Sequence, residues 1–138
     1  MASFKQGASE LAITLLEYGQ TGSHADARLQ VRATAHGFSG SCEAQFLLPD
    51  LLHFARSLQT MQRSGQGEAS LYSLSPHEVE LHIAYNDAGL AVRGSFGNPV
   101  DGSAGRQYWH ALSFGFDCAR SELSNALDTD WLRDLLQG

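Results

Sequence analysis

Two cysteines in 138 residues, Cys42 and Cys118, are too few for a disulfide scaffold or a cysteine-rich zinc site. Long apolar runs are missing as well: none approaches the roughly 18 residues that a membrane-spanning helix needs. The opening stretch, MASFKQGASELAITLL, lacks the compact apolar segment and small-residue cleavage site of a secretory signal, so a cytoplasmic location is expected. Basic clusters are absent too. Nine Lys and Arg against fifteen Asp and Glu give a formal net charge of −6, which speaks against nucleic acid as a partner, because phosphates need basic groups to neutralise them. The same charge is compatible with a basic protein partner, but an ordinary need for solubility is the favoured reading. Repeats, low-complexity tracts and a dividing linker are not found, so one domain over residues 1–138 is expected. Hydrophobic content of 43% and charged content of 17% are those of an ordinary globule.

The most legible stretch is Phe46 to Gly67. Pro49 suits a first helical turn, where its missing N–H is not needed, and Asp50 meets the positive end of the helix dipole. Leu51, Phe54, Ala55, Leu58 and Met61 then recur at helical period, with His53, Arg56, Gln59, Gln62 and Arg63 on the other side. Ser64-Gly65-Gln66-Gly67 supplies the glycines that a left-handed cap favours. This predicts an amphipathic helix over about residues 49–64 that must be covered by another element.

Strands surround it. Residues 1–9 are small and polar and are expected to fray. Glu10 to Tyr18, Ala27 to Ala35 and Phe38 to Leu47 read as a meander, with a loop at Gly19–Ser23 and a tight turn at His36-Gly37. Phe38, Cys42, Ala44 and Phe46 alternate inward, which makes Cys42 a buried thiol by expectation, while a Cys42–Cys118 pairing stays open. Beyond the helix, strands are expected at Glu68–Leu74, Glu78–Tyr85 and Leu90–Phe96, the last two joined by a hairpin turn ending in Gly89. A long mobile loop is expected over Gly97–Gly105, then a strand over Gln107–Asp117 with Tyr108, His110, Leu112, Phe114 and Phe116 on one side. Leucines at 123, 127, 132, 135 and 136 mark C-terminal helix, as one segment or two, with Asp117, Ser121, Asp128 or Thr129 as caps. The fold class is therefore α+β: a bent antiparallel sheet of about six or seven strands, a central helix packed on one face, and C-terminal helical segments.

Chemical motifs are weak. His77-Glu78-Val79-Glu80-Leu81-His82 superficially resembles a zinc-protease helix, but its histidines are five apart and lie on a strand pattern that sends them to opposite faces. The other histidines are scattered, Gly37-Phe38-Ser39-Gly40 lacks nucleophile-elbow spacing, and the glycines of 94–105 precede a strand rather than a phosphate-binding helix. No metal or cofactor is expected. What remains is surface: alternation places Arg28, Gln30, Arg32, Glu43, Gln45, Glu78, Glu80 and His82 on one exposed sheet face. Of these, Glu43, Glu78, Glu80, Arg28 and Arg32 are the candidate partner-binding residues. The acidic C-terminal end, with Glu122, Asp128, Asp130 and Asp134, is a second candidate.

The order of features carries a resemblance. A leucine-rich helix ends before Gly67-Glu68-Ala69-Ser70-Leu71; Glu80-Leu81-His82-Ile83, the Gly89 hairpin and a strand into Gly94 follow. An aromatic strand then enters Phe116-Asp117, ahead of Leu123 and a final leucine helix. This resembles the small bacterial immunity proteins of the WapI-like family, over about residues 47–136. The resemblance implies a cytoplasmic, non-enzymatic protein that binds and neutralises a cognate toxin, often a nuclease. Its motif consists of fold-determining leucines and glycines, so it transfers no site residue. The mild and dispersed acidity departs from what a strong phosphate mimic needs. The competing expectation is a ligand-binding or enzymatic domain with a pocket between sheet and helix. There His110, Tyr108 or Trp109 would form the lining and the 97–105 loop a lid.

Overall fold

A computed structural model of the chain describes residues 1–21 and 24–137. Four consecutive strands form the first sheet: β1 (Ala2–Gln6), β2 (Ser9–Thr21), β3 (His24–Ala35) and β4 (Phe38–Leu47). Helix α1 (Leu48–Ser64) follows, and then a second four-stranded sheet of β5 (Gly67–Tyr72), β6 (Val79–Asn86), β7 (Gly89–Asp101) and β8 (Gln107–Cys118). Helices α2 (Ser121–Leu127) and α3 (Asp130–Gln137) close the described chain. Both sheets are antiparallel, and within each sheet the strands lie in sequence order.

The α+β class and the central helix stand, but the single sheet of six or seven strands does not. The described residues form two sheets of four. Alternation within a strand reports which side chains face the core; it carries no information about which edges pair across an intervening helix. Here the edge strand β4 meets the loop after β5, where the Leu74 N–H donates to the Gln45 carbonyl at 2.7 Å.

Helix α1 buries Leu51, Phe54, Ala55, Leu58 and Met61, the predicted stripe, and ends at Gly65, whose φ of 82° admits the left-handed cap and lets its N–H reach the Met61 carbonyl. That stripe joins Phe4, Leu11, Ile13, Leu29, Val31 and Phe46 of the first sheet, Leu71, Leu81, Ile83 and Val92 of the second, and Leu123 and Leu132 of the C-terminal helices in one core cluster.

Other local expectations change. Residues 2–6 do not fray: they pair with β2, and the Lys5 N–H donates to Glu122 Oε1 of α2 at 2.7 Å. The expected 97–105 loop is mostly strand. β7 runs on to Asp101 opposite β8, leaving a short turn closed by the Gly102 N–H on the Arg106 carbonyl at 2.8 Å. The C-terminal segment is two helices; Arg120 holds the N-cap position of α2, so neither Asp117 nor Ser121 caps it. Of the expected Gly19–Ser23 loop, Gly19 to Thr21 belong to β2, and Gly22 and Ser23 lie outside the described residues.

Candidate groove between the two sheets

A recess involving the expected partner-binding residues runs along the Gly40–Glu43 part of β4, where it faces β7 and β8. It has a volume of about 430 Å³ and is lined by Gly40 to Glu43, Glu78, Phe96 to Asn98 and His110 to Leu112. Among the described residues, Glu43 and Glu78 are the only acids in that lining, and no lysine or arginine joins them.

Each carboxylate is carried by a fixed backbone. Glu43 lies on β4 opposite Gln30, and Arg28 Nη1 reaches its Oε2 from the adjacent strand at 3.3 Å. Arg28 also contacts Glu17 Oε1 at 3.3 Å, so its charge is shared between two acids. Glu78 ends the turn before β6. The Gly97 N–H donates to its carbonyl at 2.9 Å, and Ser73 Oγ accepts the Val79 N–H at 2.9 Å. Gly97 is required by close approach: a Cβ there would lie 2.1 Å from Trp109 Cζ2 and 2.6 Å from the His77 carbonyl oxygen.

The five expected partner-binding residues do not share one face: Arg28, Arg32 and Glu43 lie on the first sheet, Glu80 on the second, and Glu78 in the turn before β6. Glu43 and Glu78 come together in the groove. Glu80 pairs with His77 Nδ1 at 3.4 Å and borders a smaller recess with His82, Arg93 and Ser95. Arg28 stands behind Glu43, and Arg32 lies further along β3, exposed beside the Met1 sulfur at 3.7 Å. On the second sheet, Ser70 Oγ and His82 Nδ1 are 3.0 Å apart as a cross-strand pair, with Tyr72 edge-on to the His82 ring.

His110 occupies neither a buried position nor a sheet–helix pocket. It is exposed on β8, opposite Asn98, and lines the groove between the sheets. Tyr108 and Trp109 are each 51% exposed, and Phe38 is 70% exposed. The alternation of β8 and β4 is correct for their core-facing halves only, because β7–β8 and the β3–β4 turn extend past the edge of the core. Cys42 is half-buried in the groove wall rather than buried, and both cysteines are free thiols. Burial, then the Glu78 and Glu43 charges, push the Cys42 thiol above its ordinary value. Among the described residues, no group of three or more His, Cys, Asp or Glu is arranged to hold a metal ion, and no helix is long and apolar enough to cross a membrane.

The groove thus joins two carboxylates, a half-buried thiol and the apolar side chains of Phe96, Ala111 and Leu112 in one lining. The sequence profile of the Immunity protein WapI-like family matches residues 3–137, nearly the whole chain. The chain belongs to that family. No curated protein and no solved structure matches it. The WapI-like match begins in β1, well before the residue 47 where the leucine and glycine pattern starts. The first sheet is thus part of the family's unit and not an addition to it, which agrees with a core drawn from both sheets.

Proposed function

We propose that the protein is an immunity protein that binds a cognate toxin domain and neutralises it by occupancy rather than by catalysis, in the cytoplasm. The observation that supports the contact surface is the convergence of Glu43, on β4, and Glu78, in the turn before β6, on one groove with no lysine or arginine in its lining among the described residues. Two carboxylates facing one recess favour a lysine- or arginine-bearing element of the partner and accelerate encounter with a basic surface. The chain's net charge of −6 acts in the same direction. Nuclease substrate grooves are basic, so a nuclease toxin suits this surface.

The test is capture of partners from the native cell lysate, followed by titration calorimetry with the toxin domain that co-purifies. A one-to-one complex weakened by added salt, and weakened at least about tenfold by Glu43→Gln with Glu78→Gln, is the expected result. A tight complex indifferent to both substitutions would move the contact surface elsewhere. A chain that captures no toxin from a lysate containing one would overturn the reading.

A further inference from the structure

The corner where β2, α1 and α3 meet carries a second recess of different chemistry. Leu15 and Tyr18 of β2, Leu48 and Leu52 of α1, and Trp131 and Leu135 of α3 surround about 360 Å³ of open volume. Its existence depends on a bulge in β2. Leu15 pairs with Leu29 and Glu17 with Arg28, which leaves Leu16 without a partner; Tyr18 then falls opposite Ala27, on the core-facing side with Leu15. Unbroken alternation would have sent Tyr18 to the other face. Tyr18 instead reaches past the end of the core and stays 65% exposed. Leu48 and Leu52, like Trp131 and Leu135, are four apart and so share a helix face.

Three observations specify what would cover this recess. The walls are aliphatic and aromatic, with a tyrosine and a tryptophan, the residue types that dominate binding energy at protein interfaces. The Trp131 indole Nε1 is shielded from solvent and has no hydrogen-bond partner among the described residues. Among the described residues, the one charge in the lining is Asp134. Arg133, the one base of α3, is engaged by Asp128 at 3.3 Å and Asp130 at 2.5 Å, whereas Asp134 is in no ion pair among the described residues. A second copy of the chain would bring another −6 and another Asp134 to the same place, and an anionic lipid surface would meet Asp128, Asp130 and Asp134.

We infer that this groove docks an amphipathic segment of a protein partner, with an apolar side chain filling the recess between Tyr18 and Trp131 and a lysine or arginine pairing with Asp134. The inference is independent of the toxin reading and of the Glu43–Glu78 groove, which lies at the other end of β4.

The probe is a short synthetic Leu/Lys amphipathic peptide, with a Leu/Glu peptide of the same pattern as control, titrated into a Trp109→Phe protein whose one remaining tryptophan is Trp131. A saturable change in Trp131 fluorescence is expected with Leu/Lys, and binding at least about tenfold weaker with Leu/Glu. Asp134→Lys should reverse that preference. Tyr18→Ala, at an exposed position, should weaken Leu/Lys binding about tenfold without altering the far-ultraviolet circular dichroism. Glu43→Gln with Glu78→Gln should leave the titration unchanged, which separates failure here from failure of the toxin reading. Equal binding of both peptides, no response to either, or a concentration-dependent dimer abolished by Tyr18→Ala would each overturn the inference.

Discussion

Glu43 on β4 of the first sheet and Glu78, in the turn that leads into β6 of the second, line one groove with Cys42 in its wall. The Cys42 thiol therefore reports on both carboxylates. Its ionisation lies above the ordinary value because burial, Glu78 and Glu43 all disfavour the thiolate.

Glu78→Gln is expected to lower that ionisation point. At a fixed pH below it, the thiolate fraction and the alkylation rate of Cys42 rise, since the thiolate is the nucleophile. A pH–rate profile with iodoacetamide, read by peptide mass, checks this. Cys118 does not compete: burial, then Glu122 and Asp117, push it up to about 11.

Glu10 gives the fold an acid-sensitive anchor. Burial works against its charge, but Ser3 Oγ at 2.9 Å, the Lys5 ammonium at 3.3 Å and the Arg32 charge outweigh it and hold the carboxyl below its ordinary 4.5. A depressed folded-state value contributes stability above the unfolded-state value, and that stability is lost as pH falls through the folded-state value. Glu10→Gln should lower the urea midpoint at neutral pH and flatten its decline below about pH 4.5. Equal acid slopes in the two proteins would contradict this.

Gly97→Ala places a methyl group against Trp109 and the His77 carbonyl. Overpacking of this kind costs about 1–3 kcal/mol. Adding Trp109→Ala should recover only part of the loss, because the His77 carbonyl is backbone and cannot swing away. Denaturant unfolding of the single and double variants measures the two shares.

Leu58→Ala empties a fully buried position on α1, where the helix stripe meets the rest of the core. The expected loss is about 2–5 kcal/mol, the range for large-to-small core substitutions. Gln59→Ala on the flank of the stripe should change stability by less than about 0.5 kcal/mol. Urea midpoints at equal slope compare the two.

Local pattern was legible wherever one side chain's environment is set by its near neighbours. The α1 stripe, its cap at Gly65 and the bounds of β4 follow from spacing alone, because a helix face or a strand face is fixed by dihedral geometry within a few residues. The same limit hid the groove. Glu43 and Glu78 are 35 positions apart, and their meeting depends on how two sheets pack across α1.

Sequence by itself determined the α+β class, the central helix, most strand positions and the leucine and glycine pattern of the immunity family. Tertiary structure decided that the strands divide into two sheets and that β1 is anchored by Glu122. It also decided that β7 continues through the expected loop, and that one bulged residue turns Tyr18 toward Trp131. Edge pairing and bulges are settled by contacts between segments distant in sequence, whose energies no local periodicity encodes.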